Sequence, residues 1–167
     1  MARINRKAAA GGAAAAIALA TLIIAPWEGY YSRTYLDIVK VATVCYGETD
    51  KVAVMEGRKR AFSKDECLAM LEKSLVKYDD GMMACLHRPV PVEVRAVFLS
   101  TTYNIGVAGF CGSSMARRWN AGDAYGACDA LLMWNRAGGR VVKGLDNRRK
   151  DERRLCREAV ARAGRAE

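Results

Sequence analysis

The sequence predicts an α+β fold with its sheet near the N-terminal side and helices after it. Two short segments rich in Val, Ile, Thr and Tyr lie close together at residues 34–38 and 41–46. From residue 63 onward the apolar positions instead recur at helical spacing. Strands gathered in one stretch and helices in another define the α+β class, with the sheet forming one lobe. The chain has 167 residues, enough for one domain with a real core and too few for two comfortable ones.

The elements follow in order. Residues 27–31 close a helix, and Gly29 stands beside Glu28. Residues 34–38 and 41–46 form strands across a tight connection, and residues 51–55 could add a third. Ser63 and Glu66 form a capping box, opening a helix that runs to about residue 84 with Leu68, Leu71, Leu75 and Tyr78 on one stripe. Pro89 and Pro91 punctuate the chain. A helix over 92–104 follows, closed by Gly106, with Val94, Val97, Phe98 and Thr101 facing inward. Shorter helices are expected at 114–120 and 123–134, then a loop at 135–139. A basic helix over 145–163 ends the fold. No internal repeat is visible.

The composition narrows the function classes. Hydrophobic residues make up 51% of the chain, as in a globular protein. Net charge is +9, which favours anionic partners: nucleic acid, anionic lipid or wall polymer. The basic C-terminal helix comes with no groove-reading motif, so nucleic-acid binding is not expected. Six scattered cysteines, none paired as C-x2-C, and one histidine, His87, argue against a zinc site. No metal or cofactor is expected. The cysteines fit disulfides in an oxidising compartment, and six thiols allow fifteen connectivities. Six reduced, buried thiols are the competing reading.

Before residue 26 lies an uncharged run. Residues 8–25 hold ten Ala and two Gly, with three Ile and two Leu mostly at 17–24, behind Arg3, Arg6 and Lys7. As a helix it is roughly 27 Å long, about the thickness of a hydrocarbon core. The basic flank would stay in the cytoplasm, so the rest of the chain would be exported. A cleaved signal peptide, a permanent anchor and an anchor that later leaves the bilayer all compete. The composition favours the last. Ala and Gly gain little from lipid, and an Ala-rich segment is a good helix in water. The expected division is a releasable segment at 1–25 and a catalytic domain at 26–167.

Directly after that run comes E-x8-D-x5-T: Glu28, Asp37 and Thr43. Cleaving a glycosidic bond needs a proton donor and a second, ionised carboxylate. The apolar neighbours Ala25, Pro26 and Trp27 predict a desolvated carboxyl at Glu28, the setting a proton donor needs. Asp37 ends a strand and can face a cleft. The Thr43 hydroxyl can hold a water beside it. The residues alone reach as far as a hydrolase and no further.

The chain resembles the phage-type lysozymes, the endolysins of glycoside hydrolase family 24. Glu28, Asp37 and Thr43 match that family's catalytic triplet. Tyr103-Asn104-Ile105-Gly106-Val107, Trp134-Asn135-Arg136-Ala137-Gly138-Gly139, and Gly144-Leu145 with Arg148, Arg149 and Glu152 match further segments in order. The resemblance covers about residues 26–156. It implies a two-lobed lysozyme-like fold: a small β-hairpin lobe joined by a long helix to a mostly helical lobe, with peptidoglycan in the cleft. It implies hydrolysis of the β-1,4 link between N-acetylmuramic acid and N-acetylglucosamine, and so host-cell lysis. Glu28 would donate the proton, and Asp37 and Thr43 would position water. Where the family often has G-H-T, this chain has Gly47-Glu48-Thr49, and Glu48 reads as a solvated turn residue.

The N-terminus resembles the signal-anchor-release endolysins. That implies export through the host secretion machinery, tethering to the host inner membrane through residues 8–25 facing the periplasm, and later release as a soluble monomer. Tyr46, Asn104, Trp134, Asn135 and Arg148 are candidate substrate contacts. Trp134 at a helix end also suits the core, and Arg148 with Arg149 also suits a solvated basic face. His87 is expected at the surface. Disulfides are expected at Cys45–Cys67, Cys85–Cys111 and Cys128–Cys156. Two other functions compete: a lytic transglycosylase, which forms an anhydro sugar and needs no water-positioning pair, and a non-catalytic cationic binder of membrane or wall.

Overall fold

The computed structural model describes residues 6–37 and 40–165, with side chains from residue 12 onward. Residues 38 and 39, in the expected hairpin turn, lie outside the described residues. A helix α1 (Arg6–Glu28) leads into an antiparallel hairpin of β1 (Tyr31–Leu36) and β2 (Ala42–Cys45). Next come α2 (Lys51–Lys59) and the long α3 (Lys64–Ala84). The helical body follows: α4 (Val92–Ile105), α5 (Val107–Cys111), α6 (Ser114–Asn120), α7 (Ala124–Asp129), a 3-10 turn at Ala130–Met133 and α8 (Lys143–Ala163). A small hairpin of β3 (Arg136–Ala137) and β4 (Arg140–Val141) replaces the expected loop before α8.

The hairpin and α2 form the small lobe, and α3 runs from it into the helical body, touching β2, α4 and α5. The expected α+β organisation is present. One expected strand is not. Residues 51–55 begin a helix because the Asp50 side chain accepts from the backbone N–H groups of Val52 and Ala53, satisfying donors a helix start leaves open. Val54 and Gly57 then fall inward together, a helical spacing. Gly57 is required by a close approach. A Cβ there would lie 2.6 Å from Thr34 Oγ1 and 2.9 Å from Val44 Cγ2.

The capping box of α3 forms as expected, with Ser63 accepting from the Glu66 N–H and the Glu66 carboxylate accepting from the Ser63 N–H. Arg60 also holds that carboxylate. The hydrogen bonds from Arg60 and from the Ser63 backbone lower its pKa from 4.5 to about 2.

The N-terminal run is part of the body. Ala16, Ala20, Thr21 and Ile24 are buried, and α1 packs on α4 and α3. Alanine at the contact lets two helix backbones approach closely, and it is the best helix former. Ala15, Ala18, Leu19 and Leu22 form its outer face. No helix among the described residues is both long and apolar enough to cross a membrane.

All three expected disulfides are formed: Cys45–Cys67, Cys85–Cys111 and Cys128–Cys156. They fasten β2 to α3, the end of α3 to α5, and α7 to α8. His87 is exposed, as expected.

Two outcomes are expected. Ala20→Leu should lower stability by about 1–3 kcal/mol in chemical denaturation through overpacking, whereas Ala18→Leu on the outer face should change it by less than about 0.5 kcal/mol. Glu66 contributes stability that is fully present above its unfolded pKa of 4.5 and is lost as pH falls through about 2. Denaturation curves across that window should show a slightly shallower acid loss for Glu66→Gln, slight because the pair is exposed.

Candidate active site

Glu28 is the last residue of α1, and the packing of that helix decides where its carboxyl goes. Oε1 accepts from Arg148 Nη1 of α8 at 2.7 Å. Oε2 lies by the turn that follows β2: a Cβ added to Gly47 would sit 4.0 Å from it and 3.4 Å from the Tyr103 hydroxyl. Gly47 has φ +91°, a conformation side chains rarely adopt, so the turn both needs glycine and leaves room over Glu28. The apolar sequence neighbours of Glu28 are therefore not its surroundings. Its carboxyl is about one quarter exposed and faces a guanidinium.

Arg148 and Arg149 are buried. The solvated basic face expected of them is not formed, and the Arg148 guanidinium is directed at Glu28 rather than outward. On α8, Arg148, Arg149 and Glu152 share one stripe with Cys156 and Ala159, and the whole stripe faces the core. Glu152 lies within ion-pair reach of Arg148 at 3.2 Å and Arg149 at 2.9 Å. It also accepts from the Ser100 and Thr101 hydroxyls of α4 at 2.7 and 3.1 Å. Arg148 donates a further bond to the Ser100 carbonyl. Two cations and two carboxylates, 28 and 152, thus balance inside the protein. Burial lowers the Arg149 pKa, and the Glu152 charge opposes that.

Asp37 and Thr43 sit at the turn end of the hairpin, Asp37 just after β1 and Thr43 in β2. The Asp37 carboxylate accepts from the Val41 N–H at 2.8 Å, and its backbone N–H donates to the Val41 carbonyl at 3.0 Å. These bonds fix the carboxylate as part of the turn. Thr43 is buried and pairs with Tyr35 across the strands; its hydroxyl donates to the Val41 carbonyl. Tyr35 lies within electrostatic reach of both acids. Burial raises its phenol above the ordinary value, and repulsion from Tyr31, Asp37 and Glu28 raises it further.

The other expected contacts divide. Tyr46 is in the core, and its carbonyl accepts from the Tyr103 hydroxyl at 2.9 Å, so its ring is not offered to a cleft. Burial, then Glu28, pushes the Tyr103 phenol well above its usual range. Asn104 is exposed and accepts from Arg149. Trp134 is half-buried against the core beside Gly109. Asn135 donates to Asp146, tying the small hairpin to the start of α8. Glu48 is not a solvated turn residue. Oε1 accepts from the backbone N–H groups of Thr49 and Asp50, and Oε2 accepts from the Ser74 hydroxyl at 2.6 Å.

Sequence reasoning missed Tyr103 and Glu152 as neighbours of the site, and Arg148 as the partner of Glu28. The stripe shared with Cys156 and Ala159 was a readable signal that this basic face turns inward.

A small hairpin lobe, a helical body and an acid at their junction define the lysozyme-like class of fold. A P22 lysozyme structure shares it at TM-score 0.73 and 26% identity, covering 81% of this chain and 93% of that one. The active form of the P1 phage endolysin Lyz shares it at TM-score 0.72 and 19% identity, covering 85% and 84%. The phage lysozyme profile matches residues 25–152, and the chain belongs to that family. A SAR-endolysin of Enterobacteria phage P21 is 40% identical over 154 residues, covering 89% of this chain and 91% of the relative. One from Pseudomonas phage phiKMV is 36% identical over 152 residues, covering 88% and 90%.

Removing Arg148 should leave Glu152 short of one counter-ion in a dry site. Arg148→Met is expected to destabilise the fold by about 3–5 kcal/mol in denaturant titrations.

Proposed function

We infer that this protein is an endolysin that hydrolyses bacterial peptidoglycan, with lysozyme (muramidase) activity. The carrying observation is the place of Glu28: at the junction of the lobes, under the Gly47 turn, oriented by Arg148. Family membership and the SAR-endolysin relatives support the same reading.

The bond cut is the β-1,4 link from N-acetylmuramic acid to N-acetylglucosamine. Glu28 gives its proton to the leaving glycosidic oxygen as the bond to the anomeric carbon breaks. Water attacks that carbon and gives up a proton to Asp37, with Thr43 accepting a hydrogen bond from the same water. Attack from the face opposite the leaving group inverts the anomeric centre, and enzymes of that type hold their carboxyls roughly 6.5–9.5 Å apart. Asn104, exposed beside the buried cluster, contributes to glycan binding.

Residues 8–25 act first as a tether in the host inner membrane, after export by the host secretion machinery. The enzyme then works in the periplasm once α1 has left the bilayer. The Ala-rich composition supports this, and so do the buried Ala16, Ala20 and Ile24, which give the same segment a second place to go. While α1 is in the membrane, Glu28 cannot reach Arg148.

Mass spectrometry of digested peptidoglycan should show ordinary reducing ends; anhydro ends would favour a transglycosylase instead. Glu28→Gln should lower the rate by about 10²–10⁴-fold while the protein stays folded. Unchanged lysis would point to membrane disruption. A protein lacking residues 8–25, supplied to the periplasm, should be unstable and inactive. Full activity there would show that α1 need not join the body.

A further inference from the structure

The hairpin carries an aromatic pair, one ring exposed and one half-buried, that the reaction above does not use. Thr34 turns toward α2, where its hydroxyl donates to the Val54 carbonyl at 2.7 Å. Side chains alternate along a strand, so Tyr35, the next residue, points to the opposite face. Tyr31 pairs with Cys45 and Tyr35 with Thr43, so β1 carries two more residues than β2 between these pairs and is irregular there. In a regular strand the two residues would stand roughly 13 Å apart; across this irregularity Tyr31 stacks on Tyr35, with ring centroids 4.0 Å apart and planes 29° from parallel.

The pair stands at the acids. A Cβ added to Gly29, the residue after Glu28, would meet Tyr31 Cε2 at 3.4 Å. Tyr35 pairs with Thr43 and feels the charges of Asp37 and Glu28. Tyr31 is 47% exposed, although a tyrosine ring is largely apolar. Its neighbour Tyr30 is engaged differently: its hydroxyl donates to the Phe62 carbonyl at 2.6 Å. One face of the Tyr31 ring rests on Tyr35, and the ring edge lies against Gly29, the residue after Glu28, which leaves the other face for solvent or a ligand. A pyranose ring has an apolar face of C–H groups that matches an aromatic face in size and polarity.

We propose that Tyr31, backed by Tyr35, is the platform on which one pyranose ring of the glycan stacks next to the Glu28 site. The proposal rests on the glycan-hydrolase reading and adds to it a specificity-determining contact. It takes the place of the aromatic contact expected from Tyr46, which is buried. The ring makes the contact, not the hydroxyl.

The test uses the full chain and soluble, uncrosslinked peptidoglycan strands. Tyr31→Ala should raise KM about tenfold, the factor that 1.4 kcal/mol of lost contact gives, with kcat changed by less than about twofold. Tyr31→Phe should keep the parent KM. An unchanged KM in Tyr31→Ala, or a fall confined to kcat, overturns the proposal. If the alanine variant does not fold, Tyr31→Trp in a Glu28→Gln background decides. Its emission should shift on adding the strands beyond any shift of Glu28→Gln alone, and no added shift overturns the platform. The two readings fail separately. Parent enzyme that yields no reducing ends removes the hydrolase reading, whereas an active parent with an indifferent Tyr31 removes only the platform.

Discussion

The ion pair between Glu28 and Arg148 is the contact on which the rest of the site depends. It joins residues 120 positions apart and closes the C-terminal end of α1 onto α8. Buried charges are tolerated only when they are paired and hydrogen-bonded. Here the guanidinium of Arg148 is shared among Glu28, Glu152 and the Ser100 carbonyl, and Glu152 is in turn held by two hydroxyls of α4. Three helices therefore meet in one charge-balanced cluster. The acid is not placed by its own neighbours in sequence. It is placed by whichever surface α1 is packed on.

That dependence gives the composition of α1 its meaning. Small residues let it lie close to α4, and alanine is the best helix former in water. All six cysteines lie at residue 45 or later, so the three disulfides link the hairpin to α3 and α3 to α5, and separately α7 to α8, and none of them reaches α1. Disulfides that leave out the first helix fit the proposed late docking of that helix. In the proposed release the acid would arrive with it, while Asp37 and Thr43 would stay on the hairpin.

Local signals were legible in the sequence where local chemistry decides. The Ser63–Glu66 capping box, the helix over 114–120 and the stop at Gly106 need only neighbouring residues. Residues 51–55 misled because Val and Met suit a strand as well as a helix over so short a run, and the Asp50 cap decided it. The acid triplet was visible as spacing. Its surroundings were not, because Arg148, Gly47 and Tyr103 reach Glu28 only through tertiary packing. Tyr31 went unnoticed for a similar reason: a run of two tyrosines does not say which ring is tied to the Phe62 carbonyl and which stacks in the open.

A double-mutant cycle between Glu28→Gln and Arg148→Met, read as folding stability of the full chain in denaturant, tests the central claim most directly. If α1 is docked by this pair, the two losses will not add, and the coupling will be on the order of 1–3 kcal/mol. Additivity within about 0.5 kcal/mol would mean that the two side chains do not interact in the folded protein, and that the acid is held at the junction by something other than Arg148.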